Sequence, residues 1–329
     1  MAELFLSCDW GTSNFRLQLV RAAELAVLAE RRTGEGIGAI AAQAATPAAR
    51  AAACRALFHD AVAALARESG RRLGRVPAVI SGMASASIGW QELPYARVPF
   101  ALDGSGVVAR RLPGGVHLLS GLRTERDVMR GEETQVLGLL AAPELAALAA
   151  DCLVVLPGTH SKHVRVHAGQ VTHFQTYMTG ELFAVLSQHS ILRHSVAAAD
   201  DATPATPAAT AVAFQEGVRL AAQQELPAGL FQVRAGQVLS QRPLPQGRAM
   251  LSGLLIGAEW RGLLAAAPTG VPVLLAASAA LGPPYLSAAR ALGLGARVRS
   301  VGPADLELAL RRAQAQFLAR VGRGETEAT

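Results

Sequence analysis

The chain has 329 residues, enough for two domains of ordinary size with well-buried cores. It is 51% hydrophobic, with alanine dominant and aromatics at only 5%, and Pro143, Glu144 and Asp151 or Pro268, Gly270 and Pro272 interrupt its most apolar stretches. That excludes a spanning helix of roughly 20 apolar residues, and the formal charge of +6 comes from arginines scattered or mixed with acids, as in Arg31-Arg32…Glu35 and Arg123-Thr-Glu-Arg-Asp127, rather than from a nucleic-acid motif.

Glu3 stands where a secretory signal needs basic residues, and Asp9 cuts the first apolar run short, so a cytoplasmic location is expected. The cysteines (Cys8, Cys54, Cys152) are odd in number and lack a Cys-x-x-Cys pair, so no disulfide framework is implied.

Residues 4–8, 15–20 and 25–31 read as three consecutive strands, with a turn at 22–24. Residues 47–67 read as an alanine-rich helix, 76–80 as a short buried strand ending at Ser81-Gly82, and 116–119 as another strand. Between them lies a loop-rich patch, Gly89-Trp90-Gln91-Glu92-Leu93-Pro94-Tyr95. After the break at Gly131, Glu132-Glu133 open a helix running through Leu140.

From Cys152 the pattern restarts: an apolar strand, a Gly-Thr-His-Ser turn, a strand over 162–167, a tight turn at Ala168-Gly169 and a strand over 170–175. The order of elements, seen twice, predicts a duplicated lobe, with domains at 1–134 and 135–329. Thr179 is expected to cap a helix whose positive end Glu181 complements. Residues 197–211 read as an exposed loop, 271–276 as an apolar strand leading to a helix from Pro283, 305–320 as the last helix, and 322–329 as frayed.

Two turns carry the chemistry. Asp9-Trp10-Gly11-Thr12-Ser13 and Pro157-Gly158-Thr159-His160-Ser161-Lys162 each follow an apolar strand. Small residues let backbone N–H groups and hydroxyls approach a phosphate, and Lys162 is the chain's single lysine. Two such turns suggest a nucleotide held between two lobes. Asp9 reads either as an ordinary turn aspartate or as a ligand for Mg²⁺. No Gly-x4-Gly-Lys-[Ser/Thr] motif occurs, and Gly34-Glu-Gly36-Ile-Gly38 lacks the spacing of a dinucleotide fingerprint.

Glu132-Glu133 are the candidate general base, though the helix dipole alone favours acids at that position. The histidines His160, His163 and His167 fall on a turn and a strand with no carboxylate or cysteine set to complete a zinc site. Trp90 and its neighbours read equally as core aromatics or as a substrate-lining loop.

The motifs Asp9-Trp-Gly-Thr-Ser-Asn-Phe-Arg16, Ser81-Gly-Met, Gly89-Trp…Pro94-Tyr95, Met129-Arg-Gly-Glu-Glu-Thr-Gln135, Pro157-Gly-Thr-His-Ser-Lys162, Met178-Thr-Gly-Glu-Leu182 and Leu251-Ser-Gly-Leu-Leu-Ile-Gly-Ala-Glu259, in this order, resemble the 2-dehydro-3-deoxygalactonokinase family. The resemblance implies an α/β fold of two ribonuclease-H-like lobes, of the actin and sugar-kinase type, with an interdomain nucleotide cleft. It also implies ATP-dependent phosphorylation of the 6-hydroxyl of 2-dehydro-3-deoxy-D-galactonate, with Mg²⁺. Another sugar acid such as 2-dehydro-3-deoxy-D-gluconate, or a non-catalytic nucleotide-dependent sensor on the same fold, are the alternatives.

On this resemblance Glu132, Glu133 and Asp9 are catalytic, and Asp9 also holds the metal. Gly11, Thr12, Ser13, Gly158, Thr159, His160, Ser161, Lys162, Gly253, Ala277 and Ser278 contact the nucleotide, although Ala277 stands where the superfamily usually has glycine. Arg16, Trp90, Arg130, Thr179 and Glu181 contact the substrate, with Arg16 or Arg130 meeting its carboxylate. The partners implied are a sugar acid and ATP, with no nucleic acid and no membrane, and a homodimer left open.

Overall fold

A computed structural model of the chain describes residues 3–196, 206–240, 242–266 and 269–324. These divide into two compact units. The first takes the described parts of Met1–Ala150, Val166–Phe174 and Ala304–Thr329, and the second those of Asp151–Arg165 and Gln175–Pro303.

In the first unit β1 (Leu4–Trp10) pairs antiparallel with β2 (Phe15–Arg21), which pairs with β3 (Ala26–Thr33). The helices α1 (Ile37–Gln43) and α2 (Pro47–Ser69) follow. Local chemistry sets the limits of α2. The Thr46 hydroxyl accepts the Ala49 N–H at its start, Pro47 fits the first turn, and Gly70 closes it at φ +64°. Its Cys54, Phe58, Ala61 and Leu65 enter a core with Leu6, Cys8, Ile80 and Trp90.

The strand β4 (Ala78–Gly82) runs parallel to β1. It is followed by β5 (Ala96–Arg97), β6 (Phe100–Ala101), β7 (Ala109–Leu112), β8 (Val116–Leu119), β9 (Leu122–Arg123), β10 (Val128–Met129) and α3 (Glu132–Leu140). The main sheet runs β3-β2-β1-β4-β8-β7, and β10-β9-β5 make a small one.

After α3 come β11 (Asp151–Leu156), β12 (Ser161–His167), β13 (Gln170–Tyr177) and α4 (Thr179–His189), of which residues 166–174 belong to the first unit and the rest to the second. Then come α5 (Pro207–Gln223), α6 (Leu226–Ser240), α7 (Leu244–Ala266), β14 (Val273–Ala276), α8 (Gly282–Ala291) and β15 (Val298–Val301). The strands β11, β14 and β15 pair in parallel, and the six-stranded sheet runs β6-β13-β12-β11-β14-β15. Counted from its own first strand, the first sheet reads 3-2-1-4-6-5 and the second 3-2-1-4-5 with β6 added beside β13, so the two share the 3-2-1-4 order and each holds the three consecutive strands seen twice in the sequence.

The last helix, α9 (Pro303–Val321), belongs to the first unit. Its buried Gln314 donates to the Cys8 carbonyl and to the Ser81 hydroxyl, each at 3.0 Å, and Arg312 donates to the Gly138 carbonyl at 2.8 Å. A Cβ on Gly138 would lie 1.7 Å from the Ala309 carbonyl oxygen, so α3 and α9 touch backbone to backbone. The units are therefore discontinuous in sequence, where the linear reading drew one boundary between residues 134 and 135.

Other elements differ from the sequence reading as well. Residues 207–211 are the first turn of α5 rather than loop, because Thr206 accepts the Ala209 N–H and Pro207 fits the turn. Residues 197–205 and 325–329 lie outside the described part. Thr179 does not cap α4; Met178 precedes it without a side-chain cap. Among the described residues no helix is long and apolar enough to cross a membrane, and the three cysteines are buried and unpaired.

Candidate active site

The first turn emerges where β1 ends. Asp9 lies opposite Arg16 in the β1–β2 register, and Arg16 donates to its Oδ2 at 3.0 Å. The same guanidinium reaches Glu307 of α9 at 2.6 Å. Burial pushes the Asp9 carboxyl above its ordinary value; Arg16 opposes this, while Glu132 and Glu307 add to it. The Asp9 side chain is still 34% exposed, on an open cleft of about 630 Å³ that Gly11, Asn14, Arg16 and Arg32 also line.

The turn is held from below. Its Gly11 N–H bonds the Asn14 carbonyl, and its Gly11 and Thr12 carbonyls accept the N–H groups of Ile37 and Gly38. A Cβ on Gly36 would fall 2.2 Å from the Thr12 carbonyl oxygen.

The start of α3 carries two carboxylates with different surroundings. Glu133 is buried and accepts the Gly131 N–H at 2.7 Å and the Thr134 hydroxyl at 3.0 Å. Burial, reinforced by Glu132, pushes its carboxyl up to about 7. Glu132 is half-buried, accepts the Arg130 N–H at 3.0 Å, and is near enough to Asp9 to raise it. Glycines let the backbones converge here. A Cβ on Gly82 would meet the Trp10 carbonyl oxygen at 2.6 Å, and one on Gly131 would meet the Gly82 Cα at 3.3 Å.

Arg130 is 9% exposed. It donates to the hydroxyls of Ser85, Ser120 and Tyr95 and to the Leu93 carbonyl, and lies 4.1 Å over the Tyr95 ring. All these partners are neutral.

The second turn joins β11 to β12. Thr159 and His160 are exposed, whereas Ser161 and Lys162 are buried. The Ser161 hydroxyl accepts the Gly158 N–H at 3.3 Å and bonds the Tyr285 hydroxyl at 3.0 Å, and Lys162 Nζ donates to the His160 carbonyl at 3.2 Å. The start of α4 sits against this turn. Glu181 N–H bonds the Thr159 carbonyl and its side chain pairs with His160, while a Cβ on Gly180 would lie 2.6 Å from the Gly158 carbonyl oxygen.

Residues 9–309 match the 2-keto-3-deoxy-galactonokinase family. The chain belongs to that family. A protein named as a probable 2-dehydro-3-deoxygalactonokinase from Rhizobium meliloti (strain 1021) is 40% identical over 305 residues, 90% of this chain and 92% of its own length. The 2-dehydro-3-deoxygalactonokinase of Escherichia coli (strain K12) is 32% identical over 263 residues, 79% of this chain and 80% of its own. A crystal structure from Sinorhizobium meliloti with the same assignment superposes with a TM-score of 0.75 at 37% identity, covering 96% of this chain and 98% of that one. The family is one of phosphotransferases that use ATP.

In this galactonokinase-family chain, several residues expected near ligands make contacts within the protein. Trp90 is a core aromatic, edge-on to Trp10 with ring centroids 6.3 Å apart and packed on Phe58. Gly253 lies within α7, where a Cβ would meet the Phe214 carbonyl oxygen at 2.0 Å, so helix packing against α5 accounts for it. Thr179 is buried and donates to Glu259. Ala277 is buried at the end of β14, while the exposed Ser278 accepts the Leu281 N–H at the entry to α8. Arg16 is already shared by two carboxylates.

Three supporting residues escaped the sequence reading. Gly36 reads as part of a failed dinucleotide motif, whereas in the structure it lets the backbone approach Thr12 closely. Glu307 lies far along the chain from the Arg16 it holds. Glu259 is the lone acid in the apolar run from Leu251 to Trp260.

Proposed function

We propose that this chain transfers the terminal phosphoryl group of ATP to the 6-hydroxyl of 2-dehydro-3-deoxy-D-galactonate, with Glu132 as general base. The observation that carries the assignment is the division of labour at the start of α3. Glu133 is buried and accepts the Gly131 N–H and the Thr134 hydroxyl, whereas Glu132 is half-buried, accepts the Arg130 N–H and lies near Asp9. Glu132 takes the hydroxyl proton as that oxygen bonds to phosphorus, and the bond from phosphorus to the ADP oxygen breaks, with ADP keeping the electron pair.

The exposed Thr12-Ser13 of the first turn and the exposed Thr159-His160 of the second would offer N–H groups and hydroxyls to phosphate oxygens. The exposed face of Asp9, whose Oδ2 is tied to Arg16, suits Mg²⁺ held directly or through water. When bound, that ion supplies charge neutralisation on the phosphates. For the carboxylate of the sugar acid, Arg130 is the better cation, because its neighbours leave its charge uncompensated while Arg16 already serves Asp9 and Glu307.

The test is coupled ADP release from MgATP with the galactonate compound, its gluconate epimer and no acid. Release that depends on the galactonate compound and prefers it is the expected result. Preference for the epimer overturns the substrate assignment, and ATP binding without release for any acid overturns catalysis in favour of a sensor.

A further inference from the structure

Glu259 is a carboxylate in the interior of the second unit, its side chain 1% exposed. Three donors from three elements converge on it. His163 Nε2 of β12 lies 2.8 Å from Oε1, the Tyr285 hydroxyl of α8 lies 2.6 Å from Oε2, and the Thr179 hydroxyl of α4 also reaches Oε2. An ionised carboxyl only accepts, so each partner donates its hydrogen to it. That fixes His163 with its proton on Nε2 and leaves its buried Nδ1 unpartnered among the described residues.

The consequence travels outward. Tyr285 spends its hydrogen on Glu259, and burial, then the Glu259 charge, keep its phenol protonated above the ordinary value. Its oxygen is therefore an acceptor for Ser161 at 3.0 Å, and the Ser161 oxygen in turn accepts the Gly158 N–H at 3.3 Å. The hydrogens run in one direction, from Gly158 through Ser161 and Tyr285 to Glu259. Ser161, fully buried, aims its hydrogen inward rather than at a ligand. Through Thr179 the same carboxylate holds the start of α4, whose Gly180 presses on Gly158 and Thr159.

We propose that Glu259 is a positioning residue for the second phosphate turn, acting through Tyr285 on Ser161 and through Thr179 on the start of α4. This rests on the reading that the turn at Gly158 meets the phosphates of ATP. An isolated buried carboxylate is costly unless its donors satisfy it, so the three donors and the acid hold one another in place. With that anchor the exposed Thr159 and His160 stand on a turn of defined shape, and no protein side chain has to reorganise as a phosphate arrives.

Tyr285→Phe removes the middle hydroxyl while preserving the ring, and Ser161→Ala removes the next link. The measurements are the KM for MgATP and for the sugar acid in both single variants and the double variant. Amide exchange at Gly158 is followed in the ligand-free protein. One lost hydrogen bond corresponds to about tenfold in KM for MgATP, with the sugar-acid KM within about twofold. The double variant is no worse than the more affected single one, since both act on one chain. Faster exchange at Gly158 in Tyr285→Phe, and again in Glu259→Gln, is expected.

Equal rises in both KM values, multiplied effects in the double variant, or unchanged Gly158 exchange each overturn the proposal. If the unmodified protein releases no ADP with any acid, the functional reading fails instead, and the exchange rate at Gly158 still decides the brace.

Discussion

Replacing Glu133 by glutamine separates the two carboxylates at the start of α3. In the folded protein burial holds the Glu133 carboxyl at about 7, against an ordinary 4.5. At about 1.4 kcal/mol per pH unit this amounts to roughly 3 kcal/mol between its protonated and ionised forms. For an acid raised in this way, the folded state binds the proton more tightly than the unfolded chain between pH 4.5 and about 7. Stability therefore falls as pH rises through that window, and the loss is complete above it. Glutamine carries no such penalty. Urea unfolding of both proteins at pH 5 and pH 8 reads the difference, and the variant gains roughly 2 to 3 kcal/mol on the parent between the two. A gap that stays the same at both pH values refutes the buried-acid argument. Turnover gives the second half of the test. Glu133→Gln retains it within about tenfold, whereas Glu132→Gln loses about 10² to 10⁴, the usual worth of a general base.

Asp9→Asn keeps the Arg16–Glu307 pair and the fold, seen as an unchanged circular dichroism spectrum, but loses most turnover, by about 100-fold or more. Equal kcat would remove Asp9 from the mechanism. Gly36→Ala drives a methyl group into the Thr12 carbonyl, so it costs about 1 to 3 kcal/mol in unfolding free energy and raises the KM for MgATP. Arg130→Gln raises the KM for the sugar acid and leaves that for MgATP unchanged; initial-rate kinetics with each substrate varied in turn distinguish the two.

What the sequence makes legible follows physical signal strength. The apolar runs before Asp9 and Pro157 announce β1 and β11, and Gly131 with Glu132-Glu133 marks the start of α3. The strands β5, β9 and β10 have two residues each, too few for any periodicity to show. The long α7 buries residues around its circumference, including Met250, Leu251, Ile256 and Trp260, so it lacks the one-sided stripe that identifies a surface helix. In the candidate site, turn chemistry points to the residues proposed to meet ligands. It was silent on those that hold them, because Gly36, Glu259 and Glu307 act through contacts 24 to 291 residues away in the chain. Ser161 is a motif hydroxyl that is buried, with Gly158 and Tyr285 as its partners.

The Gln314 side chain that joins Cys8 of β1 to Ser81 of β4 has a consequence for how the protein is born. At about 5 to 20 residues per second, a ribosome takes roughly 15 to 60 s to go from β1 to α9. Throughout that interval the Cys8 carbonyl and the Ser81 hydroxyl lack the partner that closes them, and the whole second unit emerges first. The earliest sheet to be made is thus among the last to be finished, and the nascent chain spends most of its synthesis with the turn after β1 attached to an incomplete scaffold.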